Sequence, residues 1–438
     1  MKRIFIYSVL AVALGLSSCA KDSDINAENP NQFSGADAKL IMPGATMANI
    51  LVQEGELARL AGIFSGYFTG NDRQYISYQQ YAITAGDFDN AWATLYAEGL
   101  AQCRIVRQKA KASNDMALYG VASITEANLL LTASGLWGDV PCTEACTDGI
   151  TTPKYDDMNS VHNYCIDLLT EVLPYVTGKS SYSAGYAGGH DWGQVASTLI
   201  ARARLRQGDY AGAAAAAANG VAEGQDLAAD HSTYAPGAWN LYYDFLDWNR
   251  GGYMSCDGAY IVSVIDAHTN AKTDESGRRA AYFYDGNFAY SALDPNFYDG
   301  VFNPNANYSL VGYVENQMIL AECALRGGDA ATALTCLNNV RAYNANTYGG
   351  TFDAYTASDF ASPALLAKEL ATEKYISMYG HIEGFTDVRR MKNAQGVPAN
   401  VGSSIPARFL FPQSEVNTNK ANVPMDQLDA FLPLTLFK

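Results

Sequence analysis

Two segments of the chain place aromatic rings beside side chains that can form hydrogen bonds. The first is Asn71-Asp72-Arg73-Gln74-Tyr75 with Tyr78, and the second runs from Trp239 to Tyr253. Aromatic faces pack on the C–H faces of sugar rings, while Asp, Asn and Arg bond hydroxyl groups. The sequence therefore predicts a ligand-binding surface made of Asp72, Arg73, Tyr75, Tyr78, Trp239, Tyr242, Trp248, Tyr284 and Asn287. The alternative is that half or more of these rings fill an irregular core, because Tyr and Trp are usually mostly buried.

Signals for catalysis are weaker. The sequence has no Gly-x-Ser-x-Gly motif and no Gly-x-Gly pair, and its five His residues are widely scattered. Gly178-Lys179-Ser180 is similar to the end of a phosphate loop, but Leu173 stands where the first Gly belongs. We predict no catalytic residue, metal site or cofactor, and expect that the protein is not an enzyme. Because paired carboxylates are numerous, a secreted glycoside hydrolase is the alternative from another class.

The cysteines leave two alternatives open. Beyond Cys19 there are seven, and an odd number cannot all pair within one chain. Cys142 and Cys146 flank a short polar loop, where a disulfide is one interpretation. A zinc site there lacks nearby partner ligands. Four others lie in helical patterns typical of small buried side chains: Cys103, Cys165, Cys323 and Cys336.

The N-terminus predicts export. Lys2 and Arg3 precede an apolar run, Ile4 to Leu16, that is too short to span a bilayer and is typical of a signal peptide, residues 1–18. Leu16-Ser17-Ser18-Cys19 is similar to a bacterial lipobox, in which the Cys thiol is acylated and anchors the mature chain. The Lys and acids in residues 20–24 resemble the tag that sends Bacteroidetes lipoproteins to the outer cell surface. The alternative is an ordinary cleaved signal with a chance Cys.

Residues 19–38 are polar and read as a flexible tether, which precedes one domain, residues 39–438. The formal net charge of −16 makes nucleic-acid binding unfavourable, because little positive charge is present to neutralise phosphates.

The elements that position the candidate residues are mostly helical. Apolar residues recur at three- and four-residue steps in 38–67 and 89–112, which predicts two amphipathic helices. Asn114-Asp115 can cap a third helix that ends near Ser134, and Asn159-Ser160 a fourth that ends near Pro174. Trp92 lies in one of these helical patterns and Trp137 in a Trp-Gly-Asp-Val-Pro motif, and both are predicted to serve packing.

A repeat follows at an offset of 120 residues. Residues 201–214 and 321–334 share Leu-Arg-x-Gly-Asp, in which Gly208 or Gly328 ends one helix and the next residue, an Asp, caps another. This pattern predicts tetratricopeptide-like helix pairs. Between the hairpins, residues 225–312 are rich in Gly, Asn, Asp and aromatics, which predicts an irregular segment with one helix near Tyr260–His268.

Several motifs in order resemble the SusD/RagB family of outer-membrane nutrient-binding lipoproteins. The motifs are Trp137-Gly138-Asp139-Val140-Pro141, the segment from Tyr313 to Glu322, Leu337-Asn338-Asn339-Val340-Arg341, the segment from Glu373 to Arg390, and the segment from Pro406 to Glu415 with Asn417 and Asn419. The apolar tail from Leu432 to Phe437 departs from the family pattern.

This resemblance implies an all-α (mainly α) fold with four tetratricopeptide-like helix pairs and a less regular ligand-binding half. It also implies a SusC-like TonB-dependent transporter as partner, outer-membrane lipid contacted through Cys19, and a glycan (oligosaccharide) or, in some members, a peptide as ligand. Most matching motifs are structural, so we expect Glu383, Asp387, Arg389 and Arg390 to pair across helices. The third alternative is a scaffold that binds only proteins. The aromatic loops distinguish a ligand-capture protein from such a scaffold.

Overall fold

The computed structural model describes residues 36–234 and 237–438. Helices dominate these residues, which confirms the predicted mainly α fold class. The predicted signal peptide, the lipidation site at Cys19 and most of the predicted tether lie outside the described residues.

Seventeen α-helical segments are named in chain order. They are α1 (Ala38–Glu54), α2 (Glu56–Phe64), α3 (Gln74–Gln79), α4 (Asp89–Ala93), α5 (Ala101–Ala112), α6 (Met116–Trp137), α7 (Met158–Val176), α8 (Trp192–Gln207), α9 (Tyr210–Ala217), α10 (Leu241–Tyr243), α11 (Tyr260–Ala267), α12 (Ser276–Tyr282), α13 (Tyr313–Arg326), α14 (Ala330–Tyr348), α15 (Pro363–Ser377), α16 (Ile382–Arg390) and α17 (Gln413–Thr418). Two π-helical turns, Thr94–Leu100 and Asp244–Asn249, continue α4 and α10. Short 3-10 turns lie at Ala85–Phe88, Ala357–Asp359, Met425–Gln427 and Thr435–Phe437.

The first predicted helix is broken in two. It ends at Glu54 and restarts at Glu56, because the chain turns at Gly55. Only glycine fits this turn, since a Cβ at this position would lie 2.2 Å from the Leu51 carbonyl oxygen. The second is interrupted by the π-helical turn Thr94–Leu100.

The third predicted helix, α6, is capped by Asp115 as expected, and it runs three residues past Ser134. It is long and apolar enough to cross a membrane, but 89% of its apolar window is buried inside the fold, so it is a core helix. The fourth, α7, is capped by Asp157 rather than by Asn159 or Ser160, and Pro174 lies inside its last turn.

The two repeat hairpins form as predicted. Gly208 ends α8 with a φ of 77° and Asp209 caps α9, while Gly328 has a φ of 85° and Asp329 caps α14. The alanine-rich α9 packs closely on α13, so the two hairpins stack. We call α6–α9 and α13–α16 the repeat scaffold.

Ion pairs fix the scaffold internally. Arg202 lies 2.7 Å from Glu315, and Arg206 lies 2.6 Å from Glu383. Arg390 lies 2.6 Å from Glu322 and 2.8 Å from Asp387. The first three of these buried pairs connect helices distant in sequence, as expected of Glu383 and Arg390, whereas the Asp387–Arg390 pair lies within α16. Asp387 reaches another helix through Lys374 of α15, at 2.7 Å.

Arg389 departs from the prediction. Its guanidinium donates to the carbonyls of Gly135, Phe385 and Ala407 and forms no ion pair within the described chain. Trp92 and Trp137 are buried as predicted, and the Trp137 indole donates to the Leu410 carbonyl at 2.7 Å. All seven described cysteines are free thiols, including Cys142 and Cys146, so the structure contains neither the disulfide nor a zinc-ligand group there.

The two ends of the irregular segment, residues 225–312, lie side by side. Strand β4 (Leu227–Ala229) pairs antiparallel with β8 (Tyr308–Val311), which closes residues 225–312 at their base. The predicted helix near Tyr260–His268 is α11, whereas α12 was missed because its seven residues show no clear apolar period. The other antiparallel pairs are β1 (Thr69–Gly70) with β5 (Met254–Ser255), β2 (Val140–Pro141) with β3 (Tyr155–Asp156), and β6 (Phe283–Tyr284) with β7 (Asp294–Pro295).

Candidate ligand-binding site

Three loops distant in sequence contact one another. The β1–β5 pair joins the first loop to the second, and the Asn71 amide N–H donates to the Tyr253 carbonyl at 2.8 Å. The Asn71 side chain reaches Ser291 of the third loop at 3.3 Å. We call these loops, residues 71–73, 239–253 and 284–298, the aromatic end.

One group of rings at the aromatic end contains both predicted tryptophans. Trp239 contacts Trp248 and Tyr243 edge to face, each at 5.3 Å between ring centroids. Trp248 is 64% exposed and Trp239 is half-buried. The π-helical turn Asp244–Asn249 positions Trp248, and such turns are frequent at functional sites. Trp248 therefore has a free ring face, and Trp239 supports it.

A second group consists of three nearly parallel rings. Tyr284 and Phe288 lie 5.4 and 6.2 Å from Tyr298 between centroids, with interplanar angles of 25° and 17°. Phe288 and Tyr298 are 70% and 57% exposed. The hydroxyl of Tyr290 donates to the Asp247 carboxylate at 3.0 Å, which ties this loop to the turn that carries Trp248.

Three predicted site residues are instead core residues. Tyr242 is fully buried, and its hydroxyl donates to the Gly380 carbonyl at 2.7 Å. Tyr78 is buried against Tyr75 and bonds Asp87. Tyr75 packs on Phe245, and its hydroxyl accepts a hydrogen bond from Arg59 at 3.0 Å. Tyr78 and Tyr242 offer no ring face to a ligand. Tyr75 is open to a ligand only as a lining residue of a neighbouring cleft.

A polar cleft of about 450 Å³ adjoins the Trp248 turn. It lies where α1 meets α2, and the Asp244–Asn249 turn forms another wall. Its polar lining residues are Glu56, Arg59, Gln74, Asn90, Thr94, Asp244, Asn249 and Arg250, with Leu51, Leu57, Tyr75 and Phe245 among the apolar ones. The cleft presents hydrogen-bond donors and acceptors together, as ligand hydroxyl groups require.

The remaining predicted residues are exposed. Arg73 has a φ of 46°, an unusual conformation for a residue other than glycine, and its guanidinium lies 5.9 Å from the Tyr253 ring centroid. Asp72 is 3.7 Å from Arg73, and Asn287 is exposed beside Phe288 in sequence. The structure thus brings the loops of Asp72, Arg73, Trp239, Trp248, Tyr284 and Asn287 into contact with one another.

Sequence reasoning missed the charged residues of the cleft. Glu56 and Arg59 lie in α2, which was interpreted only as an amphipathic helix, and Arg250 ends the π-helical turn. The signal for the first two was two charged residues one turn apart in an otherwise apolar nine-residue helix. For Arg250 there was no local signal, because only the fold places it beside Arg59.

One buried cluster has the spacing of metal ligands: among the described residues, donor atoms of His268, Glu275 and Glu373 lie within 4.8 Å of one another. Arg278 donates to both carboxylates, at 2.5 and 2.6 Å, and therefore takes the place of a cation. His268 bonds Glu275 and Glu369 at 2.7 and 2.9 Å. Although burial opposes it, these hydrogen bonds raise the pKa of His268 to about 9. The cluster is an ion-pair network at the junction of α11, α12 and α15.

Comparison with known proteins supports the fold and the family resemblance. Residues 30–224 match a SusD-like family described as "Starch-binding associating with outer membrane". A SusD/RagB family protein from Bacteroides thetaiotaomicron superposes with a TM-score of 0.70 at 17% identity, covering 92% of this chain and 99% of that one. A chitin-binding SusD homolog from Flavobacterium johnsoniae gives a TM-score of 0.69 at 15% identity, covering 92% and 98%. No curated protein sequence matches the chain.

A second SusD-like protein from Bacteroides thetaiotaomicron gives a TM-score of 0.68 at 19% identity, covering 91% and 98%. At these identities the structural matches show a common fold. With the sequence match, they confirm the SusD/RagB resemblance predicted from the motifs.

Proposed function

We propose that this SusD-like chain is a cell-surface nutrient-binding lipoprotein that captures glycan (oligosaccharide) and delivers it to a SusC-like TonB-dependent outer-membrane transporter. The observation that carries the proposal is the free ring face of Trp248, which stands on the same turn as Asp244 and Asn249, two polar lining residues of a 450 Å³ cleft. An apolar face beside grouped donors and acceptors matches the two surfaces of a sugar ring.

The proposed site consists of Asp72, Arg73, Trp239, Trp248, Tyr284 and Asn287 from the sequence prediction, together with the cleft. Trp248, Phe288 and Tyr298 expose ring area that a folded protein usually covers, and an aromatic patch of this kind is typical of a binding surface. Several exposed rings along one end favour a chain of sugar units over a single one.

The proposal includes the anchor and the location. Residues 1–18 are the signal peptide, Cys19 carries the lipid, residues 19–38 are the tether, and residues 39–438 form one domain on the outside of the outer membrane. The match to a family described as associating with the outer membrane supports this location.

The second candidate ligand is a peptide. Chitin-binding proteins among the structural relatives favour glycan, as does the supply of exposed rings. We also propose that the protein binds its ligand without cleaving it, so that the glycoside hydrolase alternative becomes an outcome of the test.

The test is calorimetric titration of the mature chain with panels of oligosaccharides and of peptides, followed by chromatography of the incubated ligands. We expect saturable binding of at least one oligosaccharide, recovered unchanged. Binding of peptides alone would select the second candidate. Reproducible cleavage by the pure protein, lost on replacing one cleft carboxylate such as Glu56, would place the protein among enzymes.

The anchor is tested separately with Cys19→Ala. Because the thiol is the acylated atom, we expect this variant to lose labelling by a fatty-acid analogue and to leave the outer membrane. Ser18→Ala, one residue away, is the matched control and should be labelled normally. Continued lipidation of Cys19→Ala would contradict the assignment.

A further inference from the structure

The cleft contains two arginines, Arg59 and Arg250, that form no ion pair with the described residues. Of the buried arginines, Arg202, Arg206, Arg278 and Arg390 each lie within 2.7 Å of a carboxylate oxygen, whereas Arg341, Arg389 and Arg408 donate to backbone carbonyls. A cation removed from water is costly unless an anion compensates it, so such pairing is the normal arrangement for an arginine inside a protein.

Arg59 departs from this arrangement. Its Nε donates to the Tyr75 hydroxyl at 3.0 Å, and its guanidinium lies 4.2 Å from the Phe245 ring centroid. No carboxylate oxygen of the described chain lies within 4.0 Å of the Arg59 guanidinium, and neither of its terminal nitrogens has a hydrogen-bond partner in the described chain. Tyr75 and Phe245 thus fix the guanidinium in place while its outer donors remain free in the cleft.

Arg250 adds a second cation to the same cleft. Its Nη1 donates to the neighbouring Asn249 carbonyl at 3.0 Å, and it forms no ion pair with described residues. Its guanidinium is 5.7 Å from the Tyr253 ring centroid, and Arg73 is 5.9 Å from the same ring. Two guanidinium groups without an ion-pair partner in the described chain therefore line the cleft, and a third, that of Arg73, lies beside Tyr253 and is paired with Asp72.

The cleft carboxylates do not cancel this charge by direct contact. Asp244 accepts a hydrogen bond from the Asn249 side chain at 2.7 Å. Glu56 has no ion-pair partner in the described chain, and burial raises its pKa, an effect that Arg59 opposes and Asp87 reinforces. An arriving anion would favour protonation of Glu56 further, so that the carboxyl group could donate to the ligand rather than repel it.

We propose that the cleft selects acidic glycans, with the carboxylate of a hexuronate unit bound by Arg59 and Arg250 and a neighbouring sugar face packed on Trp248. The planar guanidinium fork matches a carboxylate with two parallel hydrogen bonds, whereas a neutral hydroxyl leaves the charge uncompensated. Because the net charge of the chain is −16, attraction of an anion must come from these local arginines. This inference rests on the proposed function and narrows its substrate class.

The experiment uses matched pairs of ligands on the mature chain. Tetramers of galacturonate, of mannuronate and of the glucuronate–N-acetylglucosamine repeat are titrated beside their carboxyl-reduced, neutral forms. We expect at least one acid to bind at least about tenfold more tightly than its neutral counterpart, since hydrogen bonds to charged groups are the strong ones.

Two variants locate the effect. Arg59→Met and Arg250→Gln should each weaken binding of the acid by about tenfold to hundredfold and change binding of the neutral form less than about threefold. Arg326→Gln, a partly exposed arginine of the repeat scaffold, is the matched control and should change neither. Arg250 is exposed, so its variant remains informative if loss of the Arg59 contacts with Tyr75 and Phe245 prevents folding.

Equal binding of acid and neutral forms, or an acid preference unchanged in Arg250→Gln, would overturn the inference. Binding of neutral glycans alone would also overturn it while leaving the proposed function intact. If no glycan of either kind binds, the proposed function fails with it.

Discussion

The repeat scaffold and the aromatic end use the same residue types in opposite ways. In the scaffold, Arg202 is almost fully buried and bonded to Glu315. At the aromatic end and its cleft, Arg59 and Arg250 make one hydrogen bond each. The rings differ likewise, because Trp137 is fully buried and its N–H is bonded, whereas Trp248 is 64% exposed.

The comparison shows that partnering, rather than residue type, separates a structural role from a binding role. A buried ion pair whose donors are all occupied has nothing left to offer a ligand, although it defines how helices dock. An arginine held in place by aromatic contacts, with free donors, is prearranged for an anion without further ordering.

The strongest test of the scaffold breaks its central ion pair. Replacing Arg202 by Met leaves Glu315 buried without a partner, which should lower the free energy of unfolding by about 3–5 kcal/mol. Chemical denaturation measures the loss. Arg204→Met, two residues away in the same helix and paired at the surface with Asp209, should cost no more than about 1 kcal/mol. Similar losses for the two variants would show that the contribution of an ion pair to the stability of the scaffold does not depend on its burial.

The contact between scaffold helix α15 and the irregular segment, residues 225–312, should be sensitive to alkaline pH. His268 bonds Glu275 at the start of α12 and Glu369 of α15, and its pKa is raised to about 9. A raised pKa stabilises the fold fully below the ordinary histidine pKa of about 6.5, and this stabilisation disappears as the pH rises through 9. The loss should amount to at most about 3 kcal/mol between pH 6.5 and pH 10.

Denaturation at several pH values compares the wild-type chain with His268→Gln. The control is His190→Gln, since burial lowers the pKa of that histidine and it cannot contribute in the same direction. If the wild type and His268→Gln lose stability equally between pH 6.5 and pH 10, the cluster does not depend on the charge of His268.

The smallest expected effect on stability belongs to the aromatic end. Trp248→Ala should weaken binding of the cognate glycan by about 1–3 kcal/mol, which is about fivefold to 150-fold, and change the free energy of unfolding by less than about 0.5 kcal/mol. Titration and a thermal melt measure the two quantities. Tyr242→Ala, only six residues away but fully buried, should instead destabilise the fold by about 3–5 kcal/mol.

Trp248→Ala could also show the opposite pattern, in which affinity is unchanged and the melting temperature falls by several degrees. That result would make the Trp248 ring part of the core. The binding surface would then have to be sought around Phe288 and Tyr298, whose rings are also exposed.

Much of the fold could be predicted from the sequence because its signals are local. Gly208 and Asp209, like Gly328 and Asp329, specify a helix end and a helix start within two residues. Asp115 likewise specifies the start of α6 without knowledge of its neighbours. Boundaries were less certain where tertiary packing intervenes, as at Gly55 and in the two π-helical turns.

Within the candidate site, the sequence by itself determined which segments supply aromatic and polar residues, since composition is local. It could not distinguish Tyr242 from Trp248, because both lie in one aromatic run and only packing against Phe302 and Gly380 buries the former. Nor could it place Arg59 beside Arg250, which are 191 positions apart in sequence. Tertiary structure decided which rings keep a free face and which arginines lack a partner, because burial and pairing depend on contacts between distant segments.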